Sequence, residues 1–155
     1  MKLSVDVKGL AEVAAAIEGL KPATAKRVLR KVATEALTPM RDKARALAPD
    51  DPRTGPPHDL KSSIEISPKQ KSGRQLRFTE EGASSVTVFM GPTFEGYPQA
   101  IPQEFGTAHH PPKPYMRPAW DQHKHQALQH VATELGAEVQ KAAQRQARRA
   151  AKRAV

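Results

Sequence analysis

The sequence predicts an α+β fold: a small antiparallel sheet packed by a long helix and a C-terminal helix, with an extended loop. Three observations carry this. Apolar residues alternate in short stretches and recur at three- and four-residue steps in two long ones. Between these lies a run punctuated by Gly and Pro.

Residues 2–8 alternate, with Leu3, Val5 and Val7 on one side and Lys2, Ser4, Asp6 and Lys8 on the other, the pattern of a half-buried strand. Gly9 breaks it. Leu10, Val13, Ala14 and Ile17 then fall at helical spacing in a short helix ending near Gly19. Pro22 suits the first turn of a longer helix over residues 23–48. Its expected apolar stripe is Leu29, Val32, Ala33, Ala36, Met40, Ala44 and Leu47; Lys26, Arg27, Arg30, Lys31, Arg41 and Lys43 lie around the other sides. Pro39 lacks an N–H and its ring crowds the carbonyl of Glu35, so a kink or break is expected there.

Residues 49–57 are Pro-rich and polar and read as a loop, with Arg53-Thr54-Gly55 as a turn; Asp50-Asp51 reads as turn formation. Residues 60–66 suit a strand, and residues 69–82 a charged hairpin or loop. Residues 85–90 are the clearest strand, with Val86, Val88 and Met90 on one face and Gly91-Pro92 ending it. Residues 93–118 read as loop. Pro118 opens the last helix, whose apolar side is Trp120, Leu128, Val131, Leu135 and Val139. The stripe then fades to Ala143, Ala147, Ala150 and Ala154, which keep helix propensity with little to pack on. The expected organisation is a single α+β domain over residues 1–138 and a basic, Ala/Arg-rich helical extension over residues 139–155.

A chain of 155 residues suits one domain of ordinary size. Hydrophobic residues make up 38% and aromatics 5%, and much of the apolar content is Ala. Such a core is thin, and subunit contacts can supply stability it lacks. The net charge of +9 suits an acidic partner without choosing between nucleic acid, membrane surface and protein. With no Cys, disulfides, thiolate metal sites and Cys nucleophiles are excluded. The N-terminal stretch shows no signal-peptide pattern, and no apolar run approaches the roughly 20 residues of a membrane span.

Catalytic and metal motifs are missing from the sequence. His109 and His110 are adjacent, and His123, His125 and His130 are not spaced four apart as a helical metal pair would be. No His-Glu-x-x-His, Gly-x-Ser-x-Gly or nucleotide-binding glycine loop occurs. No cofactor, metal or small-molecule substrate is therefore expected, and no enzymatic activity. The basic C-terminus is a stronger feature: Lys141, Arg145, Arg148, Arg149, Lys152 and Arg153 follow Glu138 with no acidic residue among them. They are candidate contacts to DNA or an acidic partner. With no interleaved aromatic, base stacking is not expected.

The most distinctive block runs Glu104-Phe105-Gly106-Thr107, then His109-His110-Pro111-Pro112-Lys113-Pro114-Tyr115-Met116-Arg117-Pro118-Ala119-Trp120. It is a Pro-set excursion holding much of the large apolar surface, and aromatic and Arg anchors of this kind are typical of subunit contacts. Trp120 is expected one turn into the last helix, facing the sheet. This block resembles the tail-component (neck or tail-completion) proteins of long-tailed bacteriophages of the lambdoid type. Gly9-Leu10, Ala44-Arg45-Ala46-Leu47-Ala48-Pro49, Thr54-Gly55 and Leu60-Lys61-Ser62-Ser63-Ile64 follow the same family's pattern in order, so the resemblance covers about residues 1–135.

The resemblance implies a structural virion protein, assembled in the bacterial host cytoplasm. It would be a ring subunit of the head–tail junction that completes or joins the tail and leaves a channel for DNA. Its partners would be copies of itself and other neck and tail proteins, with no membrane. Glu104, Phe105, Gly106, Thr107, Tyr115, Met116, Arg117 and Trp120 are the residues expected in subunit packing and assembly. The alternative is a basic nucleic-acid-binding module using the C-terminal helix.

Overall fold

A computed structural model describes residues 10–49, 59–68, 85–93 and 97–152. The expected strand at residues 2–8, the turn at 53–55 and the hairpin at 69–82 lie outside the described residues. The fold is α+β. Helix α1 (Leu10–Glu18) leads through a tight turn into α2 (Pro22–Leu47). A single turn α3 (Leu60–Ser63) runs directly into β1 (Ile64–Ser67), which pairs antiparallel with β2 (Phe89–Pro92) in register Ile64↔Pro92 to Ser67↔Phe89. Helix α4 (Tyr97–Phe105) and α5 (Met116–Ala151) complete the order.

α2 and α5 form the frame, lying antiparallel and feeding two apolar clusters. At one end Ile17, Leu20, Ala25, Val28 and Val32 meet Leu135, Val139 and Ala142. At the other, Met40, Ala44 and Ala48 meet Leu60, Ile64, Ala100, Tyr115 and Ala119. Lys31 Nζ reaches Glu138 at 3.1 Å and sets the register between the two helices. Lys31 and Lys141 donate to that carboxyl and hold it below the usual carboxylate range. The sheet is tied to the frame by Arg45, whose guanidinium donates to the carbonyls of Ile64 (2.9 Å) and Ser62 (3.4 Å).

Six expectations change. The break expected at Pro39 does not occur, since α2 continues through it. The ring removes one helical donor, but Ala36 and Met40 are buried on either side of it and hold the helix in place. The inward positions of α2 are Ala25, Val28, Val32, Ala36, Met40 and Ala44, so the stripe is displaced from Leu29 and Leu47, and Leu47 is exposed. Residues 60–63 form a helical turn where a strand was expected. The Asp59 carboxylate accepts from the N–H groups of Lys61 (3.2 Å) and Ser62 (3.1 Å), and this cap outweighs the β-propensity that follows. β2 starts only at Phe89 and takes in Gly91 and Pro92, which were expected to end it; Pro92 is tolerated at the last ladder position.

The fifth change is α4, inside the expected loop. Pro98 falls in its first turn and Pro102 in its interior, so the prolines that suggested a loop here help to shape a helix. α5 also begins at Met116, two residues before Pro118, and runs without interruption past residue 138 to Ala151. Its buried residues are Ala119, Leu135, Val139 and Ala142, so the small Ala142 finds a packing partner where the stripe looked exhausted.

Candidate functional site

The distinctive block folds into a clasp between α4 and the start of α5. A helix leaves its first four N–H groups without partners. In α5 these belong to Tyr115, Met116, Arg117 and Pro118, and Pro118 has no N–H to satisfy. Tyr115 provides no side-chain cap. Glu104, at the end of α4, supplies it instead. Its Oε2 accepts from the N–H groups of Tyr115 (2.8 Å) and Met116 (2.9 Å), and its Oε1 from that of Arg117 (3.1 Å). The Arg117 side chain closes the contact, Nε donating to Glu104 Oε1 at 2.9 Å and Nη2 to the Glu104 carbonyl at 2.8 Å. One carboxylate and one proline thus account for all four positions.

Glu104 is buried. Burial by itself raises its pKa, but the N–H groups of Met116 and Tyr115 and the side chain and N–H of Arg117 outweigh it. The carboxyl is held below its ordinary range. Each oxygen already accepts two hydrogen bonds, so this ionised group has no accepting position left for a substrate proton. Beside it Tyr115 is pushed up to about 12, by burial and by the charge of Glu104.

The connecting loop is equally fixed. Gly106 ends α4 with φ of 78°, a left-handed conformation, and a Cβ there would sit 2.9 Å from the His110 carbonyl oxygen. Its N–H donates to the Pro102 carbonyl at 2.8 Å. Thr107 and His110 form a bridge, and Lys113 N–H donates to the Gln103 carbonyl at 2.7 Å, which folds residues 106–113 back onto α4.

The large side chains of the block divide into two groups. Tyr115 is fully buried in the sheet-end cluster and Met116 is partly buried beside it. Trp120 is 54% exposed and Phe105 64%. The expectation that Trp120 locks α5 onto the sheet is thus corrected: Tyr115 and Ala119 take the inward positions. Trp120 instead borders an open groove of about 370 Å³ with Leu37, Met40, Val88, Met90, Met116 and Arg117. The Arg117 guanidinium lies 5.0 Å from the Phe105 ring centre, a cation–π contact on the surface. Ile101, four residues before Phe105 on α4, is also exposed.

The basic residues of the C-terminal segment also separate. Lys141 bonds Glu138 at 3.1 Å. Arg148 and Lys152 are exposed, and Arg153 lies outside the described residues. Arg145 and Arg149 line a cleft with Lys21 and Arg27 from the start of α2. Gln146 fastens this end, bonding the N–H of Lys21 at 3.3 Å and the carbonyl of Gly19 at 3.5 Å.

No family model, characterised protein or solved structure matches this chain.

The side chains therefore speak for themselves. Among the described residues no group of three His, Asp or Glu side chains could hold a metal ion, and no helix is long and apolar enough to cross a membrane. His109 and His110 sit in the clasp loop, while His123, His125 and His130 are spread along α5. Sequence reasoning missed Lys21, Arg27 and Gln146 at the cleft. The signal that could have found the α5 half of that cleft is the helical spacing of Ala142, Arg145, Gln146, Arg149 and Ala150 on one face.

Proposed function

We propose that this chain is a structural virion protein of a bacteriophage head–tail junction, a ring subunit that completes or joins the tail and leaves a channel for DNA. Its partners are copies of itself and other neck and tail proteins. The observation that carries this reading is the division of labour within the clasp. Glu104, Gly106, Tyr115 and Arg117 fix the start of α5 rigidly, and this leaves Ile101, Phe105 and Trp120 turned outward on a chain with few aromatics. Large apolar side chains held still at a surface suit a subunit contact, because little conformational entropy remains to be lost on docking. A ring requires a heterologous contact, in which this surface meets a different one on the next copy.

The test is the solution mass of the purified chain across a concentration series, with negative-stain imaging of phage tails assembled in its presence. Self-association or ring formation on tails is expected, reduced by Phe105→Asp with Trp120→Asp. A chain that stays monomeric at high concentration and adds nothing to tails overturns the reading.

A further inference from the structure

We infer that the cleft between the start of α2 and the end of α5 binds the phosphodiester backbone of duplex DNA, through Lys21, Arg27, Arg145 and Arg149. The cleft has a volume of about 340 Å³. Its remaining lining is Thr24, Ala142, Gln146 and Ala150, with no acidic side chain and no aromatic ring.

Several cations elsewhere in the fold have partners: Arg117 on Glu104, Lys31 and Lys141 on Glu138, Lys124 on Asp121, Arg41 on Asp42. Lys43, Lys113, Arg148 and Lys152 make no ion pair with a described residue, but they do not share a cleft with one another. None of the four cleft cations makes an ion pair with a described residue. Their placement makes this a costly arrangement. Arg145 and Arg149 near the end of α5 answer the negative pole of that helix. Lys21 and Arg27 do not. Lys21 is the N-cap of α2, whose first turn contains no acidic residue, and Arg27 lies in the second turn. Four like charges line one cleft and repel one another, and Lys21 also opposes the dipole of α2. An anion in the cleft relieves that repulsion, since the cations and the helix pole all favour it.

The lining also selects among anions. An acidic protein partner needs apolar or aromatic anchors to hold it, and the uncharged lining here is Ala, Thr and Gln. Single-stranded nucleic acid draws much of its affinity from stacking on aromatic rings, which this cleft does not offer. Charge recognition alone suits the dense, regular phosphates of a duplex. The inference does not depend on ring assembly, since it uses none of the clasp residues.

Fluorescence anisotropy with a labelled random-sequence duplex, repeated across a salt series, tests it. Binding is expected to weaken with salt, with a log–log slope of about −3 to −4 for four phosphate contacts. Arg145→Gln with Arg149→Gln should weaken binding by at least about tenfold at fixed salt and flatten the slope by about 2. Arg27→Gln alone should flatten it by about 1. Arg148→Gln with Lys152→Gln removes the same charge outside the cleft and should change affinity by less than about twofold. Circular dichroism confirms that each variant is folded. If the control pair weakens binding as much as the cleft pair, the charge acts diffusely and the site is refuted. Displacement of the duplex by polyglutamate at equal charge concentration would instead identify the occupant as acidic protein and overturn the DNA assignment. Absence of duplex binding at moderate salt overturns it as well.

Discussion

Glu104 caps a helix to which it does not belong, and that arrangement has measurable consequences at the level of one side chain. Glu104→Gln keeps the shape but loses the charge, and turns an amide donor toward backbone donors. A loss of about 2–3 kcal/mol is expected in denaturant unfolding. Because the native carboxyl is held below its ordinary range, the clasp contributes in full at neutral pH. It weakens as pH falls through the lowered native value, so wild-type stability should drop in acid more steeply than that of Glu104→Gln. Tyr115 has the opposite sign. Its native value near 12 lies above the ordinary tyrosine value of 10.0, so the folded state keeps its proton after the unfolded chain has lost it. Stability should decline as pH rises from 10.0 toward about 12, and Tyr115→Phe should remove that part of the decline. The sequence showed that Glu104, Tyr115 and Arg117 belong together as a block. It could not show that the link is a cap, because the capping carboxylate stands eleven residues before the N-cap position, which Tyr115 occupies.

At the scale of elements, periodicity located α1, α2 and α5 well, since each carries several turns of repeating pattern. It failed where short elements are decided by single side chains. Asp59 makes a helical turn of residues that resemble a strand, and two prolines disguise α4 as loop. It also misjudged faces: Ala25, Ala36, Ala44, Ala119 and Ala142 take buried positions, and larger neighbours such as Leu47 and Leu128 stay outside. The helix pair leaves one improvable position. Gly136 lies inside α5, and an added Cβ would meet Val13 Cγ2 at 3.7 Å, an ordinary contact. Gly136→Ala is therefore expected to stabilise the fold by about 0.5–1 kcal/mol through helix propensity, visible as a higher melting temperature.

For the whole molecule, two modest clusters strung along one helix pair replace a single large core. A composition rich in Ala and poor in aromatics foretold a thin core, but not its division into two clusters. The stability and association roles of the aromatics can be separated experimentally. Tyr115→Ala empties the sheet-end cluster and should cost about 3–5 kcal/mol. Trp120→Ala removes a half-exposed ring and should cost only about 1 kcal/mol of folding stability, while weakening self-association in sedimentation. If Trp120→Ala unfolds the chain and leaves association untouched, the outward reading of this surface is wrong. The proposed partners rest on the resemblance carried by the clasp block, since no local pattern of charges or apolar residues specifies a ring.

α5 is unbroken from Met116 to Ala151, and at about 1.5 Å per residue it holds Trp120 about 43 Å from Arg149. Charges in physiological salt are screened within about 8 Å. The molecule is therefore a rigid spacer with two separately addressable ends, an apolar one and a cationic one. Substitutions at the two ends should act additively on folding stability.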